Sequence, residues 1–100
     1  MIEYQYIIKP LAQRKIRSFY SNVAKKYRHA YDKNDQKRNV YNALQGVYDI
    51  EKKLLRRKPT LERWLGYHMA NKDKWYYAYI IADDVIVVLD ACHEQNMKGI

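Results

Sequence analysis

The residues best suited to acid–base chemistry in this sequence are two histidines in its second half, His68 and His93. An imidazole titrates near neutral pH, so either ring can give or take a proton under cellular conditions. His93 comes just past an apolar stretch typical of a strand, and His68 lies in an earlier extended segment. Tyr76, between them, can donate a hydrogen bond. We treat His93 as the leading catalytic candidate, with His68 and Tyr76 as candidate partners; the alternative for each histidine is a structural role.

This set of side chains suits metal-free cleavage of RNA. That reaction needs a base for the 2′-hydroxyl proton, an acid for the leaving 5′-oxygen and cations on the phosphate. The cations come mainly from the end of a predicted helix, and tyrosines of a predicted strand can stack on bases. The alternatives are a solvated helix end for the cations and core packing for the tyrosines. The candidate nucleic-acid-binding residues are Lys52, Lys53, Arg56, Arg57, Lys58, Arg63, Tyr77 and Tyr79.

Charge is distributed unevenly along the 100 residues, whose formal net charge is +8. Residues 1–58 carry 15 of the 19 Lys and Arg but only 5 of the 11 acids. An excess of this size favours an anionic partner, either nucleic acid or an acidic protein segment. The alternative is that the cations only keep two helix faces in solvent.

Other classes of site fit the sequence poorly. The single cysteine, Cys92, allows no internal disulfide and is typical of a reducing cytoplasm. Cys92 and His93 point in opposite directions on a strand, and no further pair completes a metal site. The three glycines form no phosphate-binding loop. We therefore expect a single cytoplasmic domain over residues 1–100, without metal, cofactor or membrane segment.

The first half of the chain predicts one strand followed by two helices. Residues 3–9 alternate weakly as a strand, and Pro10 suits the first turn of a helix. A polar break at residues 32–36 offers a cap for a second helix, which Pro59 closes. The first helix shows an apolar face at Ala12, Ile16, Phe19, Tyr20, Val23 and Tyr27, and the second at Val40, Leu44, Val47, Tyr48, Leu54 and Leu55.

After Pro59 the pattern changes to that of strands, predicted at residues 61–69, 75–81 and 85–90. Polar turns at residues 71–74 and 83–84 separate them. The element order β-α-α-β-β-β predicts an α+β domain, with a mostly antiparallel sheet and a helical hairpin packed on one face. The other face is expected to remain open and lined by tyrosines.

Short motifs accompany this element order: Leu65-Gly66-Tyr67, Trp75-Tyr76-Tyr77-Ala78-Tyr79, Asp84-Val85-Ile86-Val87-Val88 and finally His93. In order and spacing, these motifs and elements resemble the RelE/ParE family of toxins from toxin–antitoxin systems. The resemblance covers nearly the whole chain.

The resemblance implies a choice between two activities, each inhibited by a cognate antitoxin protein. RelE-like toxins cleave messenger RNA on the ribosome without metal or cofactor, whereas ParE-like toxins block DNA gyrase and are not nucleases. The sequence departs from the nuclease pattern, because Tyr76 occupies the position of a strand arginine and Glu94 follows His93. We expect a ribosome-dependent endoribonuclease; the alternatives are a gyrase inhibitor and a non-toxic basic RNA-binding module of the same fold.

Overall fold

The protein is an α+β domain in which two helices accompany a four-stranded sheet. The computed structural model describes residues 3–52, 59 and 61–97. The predicted order β-α-α-β-β-β is confirmed over these residues. In chain order the elements are β1 (Gln5–Ile8), α1 (Pro10–Lys26), α2 (Lys33–Gln45), a 3₁₀ helix (Gly46–Lys52), a second 3₁₀ helix (Glu62–Trp64), β2 (His68–Lys72), β3 (Trp75–Ala82), β4 (Val85–His93) and a third 3₁₀ helix (Glu94–Asn96).

The sheet is mixed, with the strand order β1-β4-β3-β2. β1 runs parallel to β4, and the other two pairings are antiparallel. One face packs against both helices, because Ile16 of α1 and Ala43 of α2 share a buried apolar cluster with Tyr77 and Val88 of the strands. Neither helix in the described part of the chain combines the length and the apolar character that crossing a membrane requires.

Local residue chemistry explains where the helices begin. Pro10 is the first residue of α1, where its missing N–H leaves no hydrogen bond unmade. Asp32 caps α2 by accepting from the backbone N–H of Asp35, whose carboxylate accepts from the Asp32 N–H in return. The predicted cap in this polar break is therefore confirmed.

The second helix is shorter than predicted. It ends at Gln45 and continues as the 3₁₀ helix, in which Val47 is buried but Tyr48 is 45% exposed. Gly46 lies against the sheet, since a Cβ built there would be 2.8 Å from the Tyr77 hydroxyl oxygen. The predicted core positions Leu54 and Leu55 lie outside the described residues.

The predicted strand at residues 61–69 is wrong except at its end. Residues 62–64 form a 3₁₀ helix, and β2 begins only at His68. Trp64 is 1% exposed, and its indole Nε1–H donates a hydrogen bond to the Asp90 carboxylate. With Leu61 and Met97, it covers part of the sheet face that we expected to be open.

β4 is longer than the predicted strand at residues 85–90, so His93 is the last residue of the strand rather than a residue past its end. Its pairing with β3 shifts between Val88 and Asp90, which leaves Leu89 as the extra residue of a β-bulge. Side chains alternate between faces along a strand, so one extra residue reverses the alternation. Asp90 is thereby turned away from the helix-covered face, and His93 is turned towards it.

Candidate functional site

A groove opens beside the C-terminal half of β4, at the point where β1 ends. β1 pairs with β4 only as far as Val88, so among the described residues no strand flanks the last five residues of β4 on that side. The N-terminal half of α1 and the second 3₁₀ helix form the walls. We call this the β4 groove; its volume is about 460 Å³, and the polar side chains lining it include Arg14, Lys15, Ser18, Asn22, Arg63 and His93.

Asp90 organises the wall of this groove. Its carboxylate lies 2.8 Å from the Lys15 ammonium and 3.8 Å from the Arg63 guanidinium, and it accepts a 2.9 Å hydrogen bond from the Trp64 indole. It also accepts from the Ala91 N–H, one residue along the strand. Asp90 is only 7% exposed. A buried carboxylate with these partners fixes α1, β4 and the second 3₁₀ helix relative to one another.

The groove carries a positive excess. Three cationic side chains line it, Arg14, Lys15 and Arg63, and the only carboxylate within ion-pair distance of any of them among the described residues is that of Asp90. Arg14 is exposed and forms no ion pair with another described residue. Cations held together in a concave, partly desolvated site attract anions more strongly than isolated surface cations do. The β4 groove is therefore suited to a phosphate group.

His93 lies at the floor of the groove, tightly packed between aromatic rings. It is 6% exposed, it stacks on Phe19 with ring centroids 4.0 Å apart, and it meets the Trp75 ring edge-on at 5.3 Å. Its Nδ1 accepts a 3.2 Å hydrogen bond from the Gln95 N–H, which caps the third 3₁₀ helix. Nε2 has no hydrogen-bond partner in the described part of the chain. Every side-chain nitrogen or oxygen that is fully enclosed there does have a partner, so Nε2 is not fully enclosed. Nε2 is thus the ring atom available to a ligand.

The surroundings of His93 keep its ring neutral. Burial lowers the pKa of His93; the nearby Glu94 carboxylate opposes this effect, and the Lys74 ammonium offsets part of that opposition. A neutral ring that accepts at Nδ1 carries its proton at Nε2. His93 is therefore arranged to donate a hydrogen bond into the groove. To accept a proton at Nε2 it would first have to give up the bond from Gln95.

His68 does not meet His93, so the predicted histidine pair is wrong. His68 pairs with Tyr79 on β3, and Tyr79 pairs with Val88 on β4. His93 is five residues further along β4, a distance of about 16 Å along the strand, and two strand spacings separate the rings as well. His68 is instead a half-buried residue in contact with the Tyr79 ring.

Tyr76 is also outside the groove. It pairs with Cys92 and packs with Leu61 and Trp64 on the sheet face opposite the helices. The bulge in β4 turns His93 to the helix-covered face. The prediction that Tyr76 shares a catalytic site with His93 is therefore wrong.

Tyr77 and Tyr79 belong to the core, which was the alternative to base stacking. They are 1% and 0% exposed, respectively. The Tyr77 hydroxyl donates to the carbonyl oxygen of Ala43, and burial raises the pKa of that hydroxyl. Rings enclosed in this way cannot stack on a base, so their predicted role in nucleic-acid binding is wrong.

The predicted cations are divided between two sites. Arg63 lines the β4 groove beside His93, because residues 62–64 are helical rather than extended. Lys52 lies 3.6 Å from Asp49, in a 3₁₀ helix that packs against β2, the strand at the far edge of the sheet. It is therefore not part of the groove. Lys53, Arg56, Arg57 and Lys58 lie outside the described residues.

Two residues that line the groove, Arg14 and Lys15, and the residue that holds its wall, Asp90, were not predicted as site residues from the sequence. Arg14 and Lys15 belong to the polar face of the first helix, but helical periodicity cannot show which cations flank a cavity. Asp90 does leave a signal in the sequence, because it is an acid directly after the five aliphatic residues Val85 to Leu89. A charged residue in a buried strand usually has a specific partner.

Comparisons with family models, with curated proteins and with solved structures found no match for this chain.

Proposed function

We propose that the protein is a toxin of RelE/ParE type that binds messenger RNA in the β4 groove and cleaves it on the ribosome. The observation that carries the proposal is the groove itself, where Arg14, Lys15 and Arg63 lie around His93, the leading catalytic candidate from the sequence. The element order and the helical hairpin on one sheet face support the family assignment.

The groove can contribute to cleavage by stabilising charge. Attack of the 2′-oxygen on phosphorus expels the 5′-oxygen and concentrates negative charge on the phosphoryl oxygens. Arg14, Lys15 and Arg63 offset this charge, and the Nε2–H of His93 donates to one of the oxygens. Since His93 is neutral and accepts at Nδ1, we assign it this donor role rather than that of the base. The 2′-hydroxyl proton passes to solvent, and solvent supplies the proton that the departing 5′-oxygen takes up.

A second groove supports the proposed antitoxin partner. It lies between α1 and α2, has a volume of about 580 Å³, and combines cationic with apolar side chains. An acidic amphipathic segment of an antitoxin would match this combination. We call it the α1–α2 groove; the residues lining it are Arg17, Lys33, Gln36, Lys37, Val40, Tyr41 and Leu44.

A second candidate function is binding without catalysis, either as a gyrase inhibitor or as a non-toxic RNA-binding module. The observation that favours it is that neither predicted catalytic partner lies beside the His93 ring: His68 is remote and Tyr76 is on the other face. In this case the groove would hold a phosphate group without cleaving it.

The two functions separate in growing bacteria. We would induce the wild type, His93→Ala, Arg14→Ala/Arg63→Ala and the control Lys33→Ala/Lys37→Ala, then map messenger RNA ends and measure plasmid supercoiling. The proposal expects codon-phased cuts that disappear in the first two variants and persist in the control. A supercoiling defect without cuts would support the gyrase inhibitor instead. No effect of the wild type on growth or on RNA would contradict the toxin assignment.

A further inference from the structure

A second, smaller groove continues from the β4 groove along α1. It has a volume of about 260 Å³ and shares Phe19, Asn22 and Asn96 with the β4 groove. Lys26 and Tyr27 at the C-terminal end of α1 form its far end. We call this continuation the Tyr27 groove. The shared residues make the two cavities one continuous surface feature, so a single extended ligand can occupy both.

The two grooves differ in chemistry. The β4 groove has three cations, whereas the Tyr27 groove has one cation, two aromatic rings and three side-chain amides, two of which it shares with the β4 groove. The amides belong to Asn22, Gln95 and Asn96, and none forms a side-chain hydrogen bond to another described residue in the structure. An amide presents both a donor and an acceptor, as does the edge of a nucleobase. Neither groove is lined by a carboxylate.

Tyr27 supplies the flat surface that a base requires. Tyr27 is 53% exposed, whereas Tyr77 and Tyr79 of the sheet are enclosed. The Lys26 ammonium lies 5.5 Å from the centre of the ring, where it can also reach a nearby phosphate. An exposed aromatic ring beside a cation and hydrogen-bonding amides is a common arrangement for binding unstacked bases.

We propose that the Tyr27 groove is a base-binding subsite for single-stranded RNA, in which a base stacks on Tyr27 and is read by the amides of Asn22 and Asn96. This inference rests on the proposed function, because it takes the β4 groove as the place where the phosphate binds. Lys15 and Tyr27 are twelve residues apart on α1, a distance of about 18 Å along the helix axis. The ligand is therefore a strand of several nucleotides that follows α1, and not a mononucleotide.

The direct test compares normal and abasic RNA. The probe is a fluorescent single-stranded oligonucleotide of about eight nucleotides, alongside a version that keeps every phosphate but lacks the bases. We expect the wild type to bind the normal strand about 5- to 150-fold more tightly than the abasic strand. Equal affinity for the two strands would overturn the inference, and this comparison requires no variant.

Variants locate the effect. Tyr27→Ala should lose most of the preference for the normal strand, and Tyr27→Trp should retain it. Asn22→Ala should alter the preference among strands of different base composition. The matched control is Tyr41→Ala, which removes a tyrosine that is 61% exposed in the α1–α2 groove and should have no effect. An unchanged preference in Tyr27→Ala would overturn the inference, as would an equal loss in Tyr41→Ala.

The failure of the inference and the failure of the proposed function give different results. If only the base subsite is wrong, Arg14→Ala/Arg63→Ala still weakens binding of the abasic strand. The wild type then still makes codon-phased cuts in bacteria. If the phosphate site is wrong, the abasic strand binds equally well to the wild type and to that variant. Failure of the wild type to bind the normal strand would overturn the subsite, while the toxin assignment would be judged by the cuts.

Discussion

Among single residues, His93 and Asp90 determine what the β4 groove can do. His93 is held by stacking on Phe19 and by the Gln95 N–H, which leaves Nε2–H as its only free donor among the described contacts. Asp90 holds Lys15 and Arg63 at the wall of the groove. Both residues are nearly inaccessible to solvent, so each can be tested through stability as well as through binding.

His93 should make stability depend on pH in the weakly acidic range. Because burial lowers its folded-state pKa, the unfolded chain binds a proton at a higher pH than the folded chain does. The free energy of unfolding should therefore fall as the pH drops through about 6.5, the ordinary histidine pKa. Urea unfolding of the wild type and His93→Gln at pH 7.5 and 5.5 measures this. The variant should lose much of the fall, whereas His29→Gln, which changes an exposed histidine, should keep it. Equal falls in all three proteins would contradict the account.

Asp90→Ala should destabilise the fold by about 2–4 kcal/mol, because it leaves the Trp64 indole N–H and the Ala91 N–H without acceptors and two cations without their carboxylate. Asp90→Asn should cost less, since the amide oxygen still accepts one hydrogen bond. The control Asp84→Ala, at an exposed turn, should change the free energy of unfolding by less than about 0.5 kcal/mol. An Asp90→Ala variant as stable as the control would show that these contacts contribute little.

Among the elements, the bulge at Leu89 sets the orientation of the groove residues, and the end of α2 sets how closely this helix approaches the sheet. The bulge turns His93 towards the helices and Asp90 away from them.

The elements also differ in how far they could be predicted from the sequence. The strand β3 and the turn at residues 83–84 could be predicted from local chemistry. The bulge and the 3₁₀ helix at residues 62–64 could not, because the side chains that meet there, Trp64 and Asp90, are 26 positions apart in the sequence.

The close approach of α2 and the sheet can be tested at Gly46. Its backbone is helical, so alanine would be favourable there by itself, yet the added Cβ would meet the buried Tyr77 hydroxyl. That hydroxyl is held by the Ala43 carbonyl and cannot move away easily. We expect Gly46→Ala to destabilise the protein by about 1–3 kcal/mol in urea unfolding. In the Tyr77→Phe background the same change should cost less, and an equal cost in both backgrounds would refute this explanation.

At the scale of the whole molecule, the charge of +8 is divided between surfaces with different chemistry. The excess of cations in residues 1–58 led us to expect an anionic partner, and the structure adds where some of those cations lie. Arg14 and Lys15 flank the β4 groove, while Lys33 and Lys37 line the α1–α2 groove. The element order could be predicted from periodicity and turn residues. The groove could not, because α1, β4 and residues 62–64 meet there only in three dimensions.

The central claim is that the β4 groove, rather than overall positive charge, binds RNA. It is tested most directly by the salt dependence of single-stranded RNA binding for the wild type and two variants of equal net charge. Each phosphate contact contributes about 0.7 to the slope of log affinity against log salt. Arg14→Ala/Arg63→Ala should therefore flatten that slope by about 1.4, whereas Lys33→Ala/Lys37→Ala should leave it unchanged. Equal flattening in both variants, or flattening only in the second, would contradict the account.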